Sequence, residues 1–122
     1  TYELLKKHEN DQKIIASGSL NFIVEGFSDF FSIDTFFGTP LEIVDNKVTG
    51  NLADIPTFAE GKLSTMQKWS EKNNFLLEEA TFYTDSINDL PLVKACKNSI
   101  IISPDAELEK YAKENSLEII YR

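Results

Sequence analysis

Short apolar runs alternate along this chain with stretches whose apolar residues recur at helical spacing. That alternation limits the available folds more than any other feature. Residues 13–17 (KIIAS) fit a short buried strand, and Leu20, Ile23, Val24, Phe27, Phe30 and Phe31 repeat at helical spacing over residues 20–31. Residues 34–52 hold one strand and then a hairpin expected to turn at Asp45-Asn46, with Gly50 closing it. A helix follows over 61–74 with Leu63, Met66 and Trp69 on one side, then a strand over 81–84 (TFYT) and a short helix over 89–96. A strand at 99–103 leads into Ser103-Pro104, expected to act as cap and first-turn proline for a helix over 106–115, and residues 117–121 form the last strand. Near-continuous apolar strands separated by helices predict an α/β fold, a parallel sheet covered by helices on both faces.

Composition narrows the partners. The chain has 122 residues, 42% hydrophobic and 26% charged, enough for one domain with its own core, and the whole of 1–122 is expected to form it. Twelve basic residues against 20 acidic ones give a net charge of -8, which repels nucleic acid and anionic membrane surfaces. An anionic substrate therefore needs a locally built site: a metal ion, a lysine or backbone amides. No apolar run approaches the roughly 20 residues of a membrane span, and no secretory signal is visible. Cys96 is the one cysteine, so no internal disulfide forms, which fits a reducing, cytoplasmic setting. The opening TYELLKKHEN, with Leu4, Leu5 and His8 in a stripe and no N-cap before them, reads like the middle of a helix and suggests a chain that begins upstream.

Open parallel sheets bind ligands at the carboxyl ends of their strands, so the polar residues found there are the candidates. Ser17-Gly18-Ser19 follows the first strand and precedes a helix. A hydroxyl with free N–H groups cradles a phosphate or carboxylate there, and Gly18 lets the anion approach the backbone; an ordinary N-cap with a turn glycine is the competing account. Asp85-Ser86-Ile87-Asn88-Asp89 follows the TFYT strand. One acid at such a position can hold Mg²⁺ and a second can orient a lysine or a metal-bound water, whereas simple helix capping needs only one polar side chain. Lys62 opens a helix, where a cation works against the dipole, and is either a surface residue or a phosphate-neutralising one. His8 lacks a partner at catalytic spacing, Cys96 lies on an apolar helix face, and Trp69 and the phenylalanines of 22–37 suit packing. No nucleotide-binding glycine loop, zinc spacing or serine-hydrolase elbow occurs.

IIASGS, then Lys62 at a helix start, then YTDSINDLPLV, in this order and spacing, resembles the haloacid dehalogenase superfamily, in its phosphoserine phosphatase-like branch of small phosphomonoesterases. The resemblance spans nearly the whole chain, including the 39–52 hairpin (TPLEIVDNKVTGNL) and SIIISPDAELEKYA. It implies a three-layer, Rossmann-like sheet and a Mg²⁺-dependent phosphatase acting on a small phosphorylated metabolite through an aspartyl-phosphate. Carried over, Ser17 and the Gly18 amide would bind the phosphoryl group, Lys62 would neutralise it and Asn88 would lie near it. Asp85 would ligate Mg²⁺, and Asp89 would support the metal's water or position Lys62. Phosphoryl transfer asks for such positioning and electrostatic stabilisation.

One departure matters. The superfamily's nucleophile and general acid lie in an N-terminal Asp-x-Asp motif, and no Asp-x-Asp occurs in these 122 residues; the helical cap that follows it is also absent. The strand that bears the motif would lie centrally, between those ending at Ser17 and Asp85. The expectation is a C-terminal part whose missing N-terminal segment completes the sheet and whose 122 residues alone are inactive. The alternative is a non-catalytic module that binds phosphate or a partner. A receiver-type phospho-acceptor fits poorly, for want of strand-end acids near its N-terminus.

Overall fold

Ser99, Ile100 and Ile101 are all buried, because the strand that carries them lies between two others and is covered on both faces. The computed structural model describes residues 2–122. Its helices are α1 (Tyr2–Lys7), α2 (Asn21–Phe31), α3 (Glu60–Lys72), α4 (Leu90–Ala95) and α5 (Ala106–Glu114). Its strands are β1 (Ile14–Leu20), β2 (Thr35–Thr39), β3 (Leu41–Val44), β4 (Lys47–Leu52), β5 (Thr81–Thr84), β6 (Asn98–Ile102) and β7 (Glu118–Ile120). The chain forms two compact units, one ending at Pro56 and the other running Thr57–Arg122.

In the first unit β1 and β2 pair in parallel, while β3 and β4 make an antiparallel hairpin. Asp45 and Asn46 join the hairpin with φ of 51° and 60°, the doubly left-handed geometry that suits the twist of a two-residue loop. β1 does not stop at Ser17 as expected. Its pairing with β2 shifts register after Ala16 and resumes at Leu20 opposite Thr39, so Ser17-Gly18-Ser19 forms an irregular stretch inside the strand. Gly38 of β2 must be glycine, since a Cβ there would lie 2.7 Å from Asn21 Cα and 2.8 Å from Val24 Cγ2.

The second unit is a three-stranded parallel sheet in the order β5-β6-β7. Val93 of α4, Ile101 of β6, and Leu108 and Ala112 of α5 form its core, with Ile87, Leu90 and Ile119 packed against them. Burial of each larger side chain contributes roughly 1.5–3 kcal/mol. Asp105, rather than the expected Ser103-Pro104, caps α5, with its side chain accepting from the Leu108 N–H. On α3 the buried positions are Lys62, Met66 and Ser70, an i, i+4, i+8 stripe rotated from the expected Leu63-Met66-Trp69 face. Among the described residues, β1 pairs only with β2 and β5 only with β6, so each leaves one edge open, and no helix is long and apolar enough to cross a membrane.

Two outcomes follow from this packing. Gly38→Ala should destabilise the protein by about 1–3 kcal/mol in urea unfolding, because backbone and not a flexible tip must yield. Cys96 is buried, and burial raises its thiol from 9.0 to about 11. The unfolded chain ionises first, so the stabilisation is complete below about pH 9 and is lost as pH rises toward 11. The native thiol should resist a thiol reagent at pH 8 and react at once in denaturant; rapid native labelling would contradict the burial.

Candidate active site

The β5 strand ends at Thr84, and the next five residues turn sharply into α4 at the carboxyl end of the parallel sheet. Ser86 begins this turn in extended geometry and its Oγ accepts from the Asn88 N–H, while Ile87–Asp89 forms one tight helical turn. Ser86 therefore does the capping. Neither Asp85 nor Asp89 accepts a capping bond, so helix capping does not account for either acid.

Asp89 is buried, and both its oxygens are engaged. Oδ1 accepts from Lys62 Nζ at 2.6 Å, and Oδ2 accepts from the Thr84 hydroxyl at 2.6 Å. Thr84 Oγ1 in turn accepts from the Ser86 N–H at 3.2 Å, so one hydroxyl ties the acid to the turn. These short, charge-assisted contacts satisfy the carboxylate away from water.

Lys62 is the correction to a surface reading. Its side chain is 9% exposed, on the α3 stripe that faces inward, and the Asp89 carboxylate offsets the cost of burying its charge. Ala59 leads the chain into α3 with φ of 49°, a left-handed value for a residue with a Cβ that costs on the order of 1–3 kcal/mol. An ammonium carries three donors. Asp89 takes one, and among the described residues no acceptor takes the other two.

Asp85 contrasts with Asp89. It is exposed, and among the described residues its carboxylate has no hydrogen bond or ion pair; only its carbonyl is held, accepting from the Asp105 N–H at 2.9 Å. Asn88 is exposed and its Nδ2 donates to Ser86 Oγ at 3.2 Å. The second unit thus brings Lys62 and Asp89 into contact and puts Asp85 and Asn88 on the same turn.

Ser17 and Gly18 belong to the first unit. Ser17 Oγ is half-buried and accepts from the Ser19 N–H at 3.1 Å, and the exposed Gly18 carbonyl accepts from Thr39 Oγ1 at 2.9 Å. Leu20 is the N-cap of α2 and makes no side-chain cap bond, which removes the ordinary capping account of the serines. His8 pairs with Asp11 at 2.7 Å, and Trp69 packs against Phe75 with ring centroids 5.9 Å apart.

Sequence reasoning missed Thr84 and Asp105. A threonine ending a strand carries no local signal, and Asp105 was hidden behind Ser103-Pro104 as the apparent cap. Among the described residues no three His, Cys, Asp or Glu side chains cluster as a metal site.

The buried pair makes a direct test. Lys62→Met should cost about 3–5 kcal/mol in urea unfolding, because it strands the Asp89 carboxylate. Adding Asp89→Asn should recover part of that loss, and equal, additive effects would deny the coupling.

Comparison with known proteins identifies the family of the chain. A family profile described as haloacid dehalogenase-like hydrolase matches residues 1–94. A histidinol-phosphatase of Neisseria meningitidis serogroup C (strain 8013) is 33% identical over 123 residues, spanning 96% of this chain and 55% of that protein. A phosphoserine phosphatase of Mycobacterium tuberculosis (strain ATCC 25618 / H37Rv) is 33% identical over 82 residues, 67% of this chain and 27% of that protein. A Bordetella pertussis Tohama I protein of unknown function superposes with a TM-score of 0.90 at 24% identity, over 97% of this chain and 55% of that one. The chain thus spans about half the length, or less, of these relatives. It belongs to the haloacid dehalogenase-like hydrolases, in their phosphoserine phosphatase-like branch.

Proposed function

We propose that this chain supplies the lysine and metal-binding corner of a Mg²⁺-dependent phosphomonoesterase that works through an aspartyl-phosphate. The observation that carries the reading is Lys62: a buried ammonium fixed by Asp89, with two donors unmatched, beside a strand-end turn whose Asp85 carboxylate is exposed and unpartnered. In a chain of net charge -8, such a cation is a specific anion contact and not part of a general basic surface.

Asp85 would hold the metal, whose hard charge accepts one or two carboxylates and leaves room for phosphate oxygens. When bound, Mg²⁺ would neutralise negative charge on the transferring group. Lys62 would donate to a phosphoryl oxygen while Asp89 keeps the ammonium aimed. Of the two roles that the resemblance allows Asp89, orienting Lys62 is the one its bonds favour, since each of its oxygens already accepts from Lys62 or Thr84. Ser17 and the Gly18 amide would bind further phosphoryl oxygens, and the exposed Asn88 would reach the same group. The nucleophile is neither Asp85 nor Asp89. It would come from an Asp-x-Asp strand that these 122 residues do not contain, and the open edge of β5 can pair with such a strand.

The meningococcal relative's name and the mycobacterial one support a small alcohol phosphate as substrate, within the general class of phosphorylated metabolites. The second reading is a phosphate-binding module without turnover, in which the same Lys62 ammonium would hold the anion.

Hydrolysis of histidinol phosphate, phosphoserine and p-nitrophenyl phosphate by the complete gene product separates the two. We expect Mg²⁺-dependent release of phosphate that falls at least about 100-fold in Lys62→Met and in Asp85→Asn, and none from residues 1–122 alone. Phosphate binding without turnover by the complete product would favour the module. Turnover by 1–122 alone would refute the missing nucleophile.

A further inference from the structure

Asp105 does more than cap α5. An N-cap uses one side-chain oxygen, and Oδ1 meets that need by accepting from the Leu108 N–H at 2.8 Å. Oδ2 points elsewhere, accepting at 2.7 Å from the N–H of Ile87, 18 residues earlier. The Asp105 backbone N–H closes the grip by donating to the Asp85 carbonyl at 2.9 Å. One residue at the exit of β6 therefore holds the strand-end turn on both sides of Ser86.

This grip matters because of what Asp85 lacks. Its carboxylate has no bond among the described residues, so where it can reach is limited by its backbone and not by a side-chain partner. That backbone is fixed on one side by the β5 ladder, where Thr84 stands opposite Ile101, and on the other by Asp105. Ile87 adds a hydrophobic anchor through its packing on the core.

We propose that Asp105 is a positioning residue of the phosphoryl-transfer site, aiming the Asp85 carboxylate at the metal by gripping the Asp85–Ile87 turn through two separate hydrogen bonds. The inference rests on the reading of Asp85 as a metal ligand. Supporting partners behind a metal ligand characteristically change metal affinity by about 10–100-fold when removed.

Asp105→Asn is the informative variant. Asparagine caps a helix as well as aspartate does, but has one acceptor oxygen where two N–H groups need one. Calorimetric titration of Mg²⁺ into the complete gene product, with Asp85→Asn as the control for loss of the ligand, measures the effect without turnover. Amide hydrogen exchange at Ile87 and Leu108 follows the two bonds separately. We expect Asp105→Asn to bind Mg²⁺ at least about 10-fold more weakly, to lose protection at Ile87 and to keep it at Leu108. Asp105→Ser, which also caps with a single oxygen, should behave the same way and serves if asparagine loosens the helix. Unchanged Mg²⁺ affinity in both variants, with Asp85→Asn still abolishing binding, would overturn the positioning role and leave the site reading intact. Wild-type protein that binds no Mg²⁺, or that binds it equally well with Asp85→Asn, would overturn the site reading and this inference with it.

Discussion

A buried lysine must have its charge answered, and that requirement organises the second unit. Lys62 can face inward from α3 only because Asp89 meets it, and Asp89 can be buried only because Thr84 takes its other oxygen. Thr84 ends β5 and Asp89 leads into α4, so the ion pair joins the sheet's carboxyl end to two helices. The same bonds leave Asp85 pointing to solvent one residue past the strand. One cluster thus holds both acids of the turn: the acid inside fixes the lysine, and the acid outside is the one that the proposed chemistry assigns to a ligand.

Much of the architecture was legible because it rests on local patterns. Residues 99–101 of the β6 run are buried on both faces, as continuous hydrophobicity implies, and Asp45-Asn46 turns the hairpin because those residue types tolerate the left-handed region. The strand-end acids were legible as more than capping, since four polar side chains crowd one turn and capping uses Ser86 alone.

What sequence could not show depends on contacts across distance. Lys62 at a helix start looks like a surface residue until the partner 27 positions later is known to lie beside it. That contact also rotates α3, so that Lys62, Met66 and Ser70, not Leu63 and Trp69, face inward. Asp105 was invisible as a support for Asp85 because its second oxygen reaches across the sheet's end. Ser17 was expected just past its strand, but the pairing with β2 that resumes at Leu20 draws it into an irregular stretch of β1. In each case a long-range bond outweighs a local preference.

The central claim is that Lys62 and Asp85 face one phosphoryl group and its metal. A crystal structure of the complete gene product with Mg²⁺ and orthovanadate tests it most directly. The account predicts an Asp85 oxygen on the metal, the Lys62 ammonium donating to a vanadate oxygen, and the Lys62–Asp89 contact retained. Vanadate and metal bound away from the β5 turn, with Lys62 contacting only Asp89, would contradict it.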